Sequence, residues 1–452
     1  MKKALKIVGI LILLCVVVIA GAAAWYWDTI SIIMSDAEVK ETDSHPITYQ
    51  KGDLPELTES EEDWVCWRGP ENNGRSLVKG IKIDWSSGLK KEWEIDFLCT
   101  GKTSASWSAP IIKGNRLIVC GRNETSDLVF CLNPDTGDVL WQQSYDADPG
   151  SSYGSGFRAT PCIDGDLVYT FGRAGDLVCW SLYNGELRWR QNVTELGGEE
   201  PTWGHSTSPL VLDDLVIVNG GGKVRTVAFD KISGILRWTC GTGEAGYSGF
   251  NTFSIEGQSY LLSFHGKGLA AIDPDDGREL WNQTWETAYD VNATTPIVLD
   301  QRVFITSGYK TGAQMIECGL SESKPLWTTK EFASHHSDPV LIDNYLYGYS
   351  GDSIQNKGDF KCIDTSNGEI KWSTSDMGWG CTIYVDGYLL CGDIKGNIFL
   401  IKPNPDQFEL VTQMPKAIES VDSASWTIPV AANGRLYLRF KQNLICYALT
   451  GI

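Results

Sequence analysis

The sequence predicts an all-β chain, eight four-stranded blades closed into a ring, preceded by one transmembrane helix. Three observations predict it. A pair of a Pro or apolar residue and, four positions later, Gly, Asp or Asn recurs eight times at nearly constant spacing, and most repeats carry a Gly-x-x-x-Trp element. The last repeat is one strand short, while an unmatched strand stands in front of the first.

The recurring pairs are Pro110/Gly114, Pro161/Gly165, Pro209/Asp213, Phe253/Gly257, Pro296/Asp300, Pro339/Asp343, Ile383/Gly387 and Pro429/Asn433. Successive steps are 51, 48, 44, 43, 43, 44 and 46 residues, the period of a repeat architecture. Each pair leads into an alternating apolar strand, such as Leu117-Ile118-Val119 or Leu167-Val168-Tyr169, then a hairpin and a further strand. A turn glycine and a tryptophan follow at Gly137/Trp141, Gly185/Trp189, Gly234/Trp238, Gly277/Trp281 and Gly368/Trp372. Trp327 takes the same place in the fifth unit, where Ser323 replaces the glycine. Glycine supplies a positive φ for the turn, and the indole brings a large apolar face that must be buried.

A lone four-stranded unit cannot bury both faces, so the units stack and close. Residues 93–452 divide into eight units of 45. The eighth unit ends with three strands and no tryptophan; Lys91-Glu92-Trp93-Glu94-Ile95 is the strand that completes it and removes the open edge. The expected blade-docking indoles are therefore Trp93, Trp141, Trp189, Trp238, Trp281, Trp327 and Trp372. The seventh unit has Phe408 and Leu410 but no tryptophan, and Gly88/Trp93 is spaced one residue too far. Looser docking is expected there.

The N-terminus sets the compartment. Residues 1–6 contain Lys2, Lys3 and Lys6, and the 21 residues from Ile7 to Trp27 are uncharged, long enough to span a bilayer. Lysines before the span place the N-terminus in the cytoplasm, and Trp25-Tyr26-Trp27 sits where an aromatic belt meets the headgroups. The expectation is an uncleaved signal anchor in the inner membrane, with the remainder exported to the periplasm. A signal peptide cleaved at Ala22-Ala23-Ala24 is the alternative. Cys15 follows Leu13-Leu14, too bulky for a lipoprotein signal. Residues 28–63 read as an acidic tether: between 36 and 63, ten acidic residues stand against Lys40 and Lys51. Residues 64–92 are a lead-in segment before the propeller at 93–452.

The chain has 452 residues, with 57 acidic and 38 basic side chains, a net charge of −19. Such an acidic surface excludes nucleic acid as a partner.

The repeats resemble the quinoprotein-like (PQQ-like) β-propeller family, whose unit ends Ala-x-Asp-x-x-x-Gly-x-x-x-Trp. Ala271-Ile272-Asp273 through Gly277 to Trp281 and Ala228-Phe229-Asp230 through Gly234 to Trp238 fit throughout. Cys362-Ile363-Asp364 through Gly368 to Trp372 differs in one residue. The lead-in, Trp64-Val65-Cys66-Trp67-Arg68-Gly69-Pro70 with Asn73-Gly74, resembles the opening of BamB-like exported bacterial proteins. That resemblance implies a non-catalytic envelope scaffold that binds a partner protein or small ligand, in the manner of outer-membrane assembly. The other relatives are PQQ-dependent alcohol and sugar dehydrogenases, which the resemblance associates with adjacent cysteines and a calcium ion held by carboxylate and amide ligands. No Cys-Cys pair occurs here, so neither a quinone cofactor nor calcium is expected, and no catalytic residues are assigned.

Other motifs carry less. Gly241-Thr242-Gly243-Glu244-Ala245-Gly246 imitates a dinucleotide fingerprint, but a blade strand follows where the chemistry needs a helix N-terminus. Gly150-Ser151-Ser152-Tyr153-Gly154 imitates a nucleophile elbow without the strand-to-helix turn. The 13 cysteines include no Cys-x-x-Cys, and no histidine pair stands at ligand spacing, so no metal site is expected. Cys120, Cys131, Cys162, Cys179, Cys318, Cys362, Cys391 and Cys446 read as small buried hydrophobes. In an oxidising compartment some thiols would pair, Cys381 with Cys391 being one possibility. Sequons at Asn123, Asn192, Asn282 and Asn292 are attributed to chance.

Propellers bind where the innermost strands begin, at the funnel. Those positions hold Trp107, Arg158, His205, Asn251, Asn292, His335, His336, Trp379 and Trp426. Aromatics, histidines and one arginine suit a small ligand or a partner's tip; the tryptophans also suit a sugar. Of His335 and His336, alternation along a strand lets one face the funnel. The loops Asp146–Phe157, Gly241–Phe250 and Gly351–Asp359 are Gly- and Ser-rich and expected to be mobile.

Overall fold

The computed structural model describes residues 54–150, 153–352, 357–419, 421 and 425–451. Eight sheets of four antiparallel strands follow one another along the chain, seven of them built in sequence order from the ring centre outward and the eighth taking its outer strand from the N-terminal side. The first blade comprises Ile111–Lys113, Arg116–Arg122, Ser126–Leu132 and Val139–Asp146. Blades two to seven repeat that plan, their innermost strands being Cys162–Asp164, Leu210–Leu212, Asn251–Ile255, Ile297–Leu299, Val340–Ile342 and Gly380–Val385.

The second residue of each pair sits at the first hairpin, and its backbone is left-handed in all eight repeats. Gly114, Asp213, Asp300, Asp343 and Asn433 have φ between 50° and 56°. Glycine, aspartate and asparagine adopt that region at least cost, which is why the position uses little else.

Closure occurs at the predicted strand. Lys91–Ile95 pairs antiparallel with Asn443–Ala448, Trp93 opposite Cys446 and Ile95 opposite Leu444, and supplies the outer strand of the eighth blade.

Seven junctions share one device. The indole N–H of Trp93 donates to Pro134 O (3.0 Å), Trp141 to Leu182 O (3.1 Å), Trp189 to Lys231 O (3.1 Å) and Trp238 to Pro274 O (2.8 Å). Trp281 donates to Gly319 O (2.8 Å), Trp327 to Thr365 O (3.0 Å) and Trp372 to Asn404 O (2.8 Å). Each acceptor lies in the outer turn of the following blade. The turn glycine there has two tasks: Gly234 has φ 69°, and a Cβ on it would lie 2.6 Å from Trp189 Cδ2. The Gly-x-x-x-Trp spacing thus joins three blades, because glycine receives the preceding indole while tryptophan seals the next junction.

The expectation of looser docking at the seventh blade is corrected. Trp85, from the lead-in, is buried there, and its backbone N–H donates to Thr412 Oγ1 on the seventh blade (3.2 Å). The same segment holds the eighth blade: Lys82 N–H donates to Leu449 O (2.8 Å), and Ala448 N–H to Lys90 O (2.9 Å). The receiving side supplies the indole. Gly88 accordingly receives no ring, and a Cβ there would meet nothing within 4 Å.

Residues 54–63, the end of the stretch read as tether, lie against the first and last blades. Arg116 Nη2 donates to Pro55 O (2.6 Å), and Thr58 N–H to Asn115 Oδ1 (3.2 Å). The span Ile7–Trp27 lies outside the described residues; among those described, no helix is long and apolar enough to cross a membrane.

Candidate functional site

The lead-in enters the central channel. Trp64 bridges antiparallel to Ile112 of the first blade, and Val65 O accepts from Ile163 N–H of the second (2.8 Å). The chain then turns, with Arg68 at φ 64° and Gly69 at φ 84°. Arg75–Ser76 adds as a short parallel strand beside Tyr384–Val385. The turn is fixed by an ion pair between Arg68 Nη1 and Asp338 Oδ2 (2.9 Å), with the side chains 1% and 3% exposed. Asn72 Nδ2 donates to Phe250 O of the fourth blade (2.7 Å). A buried pair of this kind fixes geometry more than it adds stability.

Trp67, on this turn, donates to Thr295 Oγ1 (3.0 Å) and lies against Gly249, where a Cβ would be 2.9 Å from its Cδ1. It lines one side of a cavity of about 190 Å³ at the funnel. The rest of the lining is mainly aromatic. Trp426 has Trp107 at 4.8 Å and Tyr153 at 5.5 Å between ring centroids. Tyr309 meets His335 at 4.7 Å, His335 stacks on His336 at 3.7 Å, and His336 approaches Trp426 at 6.1 Å. Trp203 and Tyr247, 5.7 Å apart, line the wall further round. Through Tyr289, 70% exposed, the rings of Trp203 and Tyr309 are linked in one arc.

One guanidinium enters this surface. Arg158 donates to Tyr153 O (3.3 Å), Gly154 O (3.0 Å) and Gly156 O (3.2 Å), pinning the described end of the Asp146–Phe157 loop. Burial first, and neighbouring Arg173 second, push its pKa down to about 9, so it stays protonated at neutral pH. Burial pushes His335 down to about 4, leaving a neutral imidazole. Among the described residues, no carboxylate and no thiol line the cavity.

Five expected funnel residues meet here: Trp107, Arg158, His335, His336 and Trp426. Both histidines line it, contrary to the alternation argument, because residues 335–336 form a bend and not a strand. The other four lie elsewhere. His205 is buried with its ring 5.1 Å from Phe171. Asn251 Nδ2 donates to Pro296 O (2.9 Å), joining neighbouring blades. Asn292 is buried, donates to His265 O (2.8 Å) and Trp285 O (3.0 Å), and accepts from Ser307 (2.7 Å). Trp379 is buried behind His336, 6.1 Å away.

Sequence reasoning missed Trp67, Tyr153, Trp203, Tyr247 and Tyr309. Tyr153 and Tyr247 were within reach, since they lie in the Asp146–Phe157 and Gly241–Phe250 loops already singled out. Tyr309 sits between the second and third strands of its blade, whose hairpins open on the same end as the inner-strand starts; the funnel positions omitted those hairpins.

The possible Cys381–Cys391 pairing is also corrected. Cys391 stands opposite Thr382 and meets its hydroxyl at 3.1 Å, whereas Cys381 stands opposite Gly392 and points to Trp426 O. One register step apart, the two thiols leave opposite faces.

The fold and site define a ring-closed propeller whose channel is occupied by its own lead-in below an aromatic, positively charged cavity. Residues 125–374 match the family described as outer membrane protein assembly factor BamB, and the chain belongs to that family. It is 28% identical over 222 residues to the outer membrane protein assembly factor BamB of Kangiella koreensis, covering 48% of this chain. The match spans about half the length of that curated relative, 52%. The crystal structure of BamB from Moraxella catarrhalis superposes with a TM-score of 0.56 at 17% identity, over 76% of this chain and 95% of that one. Quinohemoprotein alcohol dehydrogenase from Comamonas testosteroni gives 0.61 at 13% identity, over 86% and 81%. At these identities the two structures establish a shared fold alone.

Proposed function

We propose that this chain is a non-catalytic scaffold of the bacterial envelope that receives a projecting loop of a partner protein in its funnel, in outer-membrane assembly. The observation that carries the reading is the cavity: aromatic walls, one half-buried cation and, among the described residues, no carboxylate or thiol in the lining. An apolar side chain flanked by an acidic residue matches it, the ring faces taking the first and Arg158 the second. Membership of the BamB family supports the assembly role. The Ile7–Trp27 span, with its preceding lysines, supports an inner-membrane anchor with the propeller on the periplasmic side.

A quinone-dependent oxidoreductase is the second reading, since a propeller dehydrogenase shares the fold. Its cofactor chemistry requires calcium, which takes oxygen ligands including carboxylates. Among the described residues this lining offers no carboxylate, and no three His, Cys, Asp or Glu side chains converge as a metal site. The residues do not fit that group.

The test is cross-linking and affinity purification of the full chain from envelope fractions. The proposal predicts recovery of outer-membrane β-barrel assembly components, lost on Trp426→Ala. Purely cytoplasmic partners, or recovery indifferent to Trp426, would overturn it. Dye-linked oxidation of alcohols after addition of quinone and calcium would favour the second reading.

A further inference from the structure

Eleven of the 12 described cysteines are buried. Cys66, on the lead-in turn, is partly exposed, and it faces Cys162 at the start of the second blade's innermost strand. The 2.8 Å bond from Ile163 N–H to Val65 O aligns the two segments, and the cysteines are the residues adjoining that bond. Cys66 Sγ donates to Gly69 O and Cys162 Sγ to Ile163 O, and the two thiols lie near enough to influence each other's ionisation.

Among the other thiols, Cys381 and Cys391 leave opposite faces of their blade. Cys99 and Cys120 are both fully buried, with no exposed sulfur for an oxidant to attack. Among the described cysteines, Cys66 and Cys162 alone join proximity to access.

We propose that Cys66 and Cys162 are a redox pair that closes to a disulfide, locking the lead-in to the second blade beneath the central cavity. The oxidant is a disulfide, carried by a small thiol or by a thiol–disulfide oxidoreductase. The Cys66 thiolate attacks one oxidant sulfur, forming a mixed disulfide and expelling a thiolate. Cys162 then gives its proton to solvent and attacks Cys66 Sγ, expelling the second thiolate. The protein loses two electrons and two protons, and the oxidant becomes two thiols. Cys66 Sγ must first leave Gly69 O, to which it donates at 2.9 Å. The second step is the slow one, because the neighbouring Cys66 thiol and burial together hold the Cys162 pKa well above its usual range. Trp67, the next residue, lines the cavity, so closing the pair fixes a wall of the binding site.

The experiment uses the full chain in mild detergent, incubated with oxidised glutathione, quenched with acid, denatured and alkylated. Non-reducing digestion and mass spectrometry should find one peptide pair joined through Cys66 and Cys162. It should form faster at pH 8.5 than at pH 7, and protease should cut residues 54–92 more slowly in the oxidised chain than in the reduced one. Cys162→Ala, with its fold checked by circular dichroism, should accumulate glutathione on Cys66. Alkylation of both cysteines after exhaustive oxidation, pairing through other cysteines, or Cys66 left unmodified in folded Cys162→Ala would each overturn the proposal.

Discussion

Seven blade junctions are fastened by an indole donated from the preceding blade, and the eighth by the lead-in segment that carries buried Trp85. At seven, an indole on the outer strand of one blade reaches the outer turn of the next, so each repeat carries its own fastening. Between the seventh and eighth blades the outer strand Glu409–Met414 has no tryptophan, and Trp85 enters from the receiving side. The difference teaches where repetition stops being sufficient. Identical units can propagate a ring, but its last contact needs residues outside the repeat, here the strand Lys91–Ile95 and the indole six residues before it.

The largest effect should come from removing residues 1–95. That deletes the closing strand and Trp85 together, leaving Asn443–Ala448 as an open edge. Size-exclusion chromatography should show aggregation; a compact monomer would break the comparison. Next come the indoles singly. Trp85→Ala and Trp238→Ala should each cost about 3–5 kcal/mol in denaturant unfolding, the range for emptying a buried tryptophan site. A Trp85→Ala cost under about 1 kcal/mol would mean that the eighth junction is not sealed as the others are.

Glycines sharpen the contrast. Gly234 and Gly88 have the same backbone, φ 69° and 75°, but Gly234 has an indole against it and Gly88 has open space. Gly88→Ala should cost about 1 kcal/mol for the left-handed backbone alone. Gly234→Ala should cost about 1–3 kcal/mol more, because Trp189 must move. Equal costs in thermal unfolding would remove the link between the turn and the preceding indole.

Acid should loosen the blades gradually, over several pH units. Burial depresses His205 and His265 to about 3 and His335 to about 4. Their contribution is full above pH 6.5 and is lost as pH falls toward those values, at about 1.4 kcal/mol per pH unit each. Asp127 opposes them: burial raises it to about 6, so its contribution is present below pH 4 and lost as pH rises through 6. Between pH 6 and 4 the net slope should be that of about two protons, and His205→Asn should lower it by about one.

The fold was legible because its determinants repeat. The left-handed position in each pair and the outer-strand tryptophans recur at a period that chance does not produce, and the incomplete last unit pointed to its partner strand. Trp85 and Trp67 were not legible, because each occurs once, in a segment with no repeat to read it against. The cavity was half legible. Trp107, Arg158 and Trp426 sit where inner strands begin, but His205 and Asn292 at the same repeat position turn into the blades to satisfy packing and buried carbonyls. Position in a repeat fixes the backbone, whereas side-chain direction depends on what each neighbour leaves open.

Amide hydrogen exchange of Trp85→Ala beside the unaltered chain tests the central claim most directly. The account predicts lost protection in Lys91–Ile95, Glu409–Met414 and Asn443–Ala448, with Thr226–Asp230 and Leu236–Cys240 across the ring unchanged. Protection retained at the seam, or lost evenly round the ring, would contradict it.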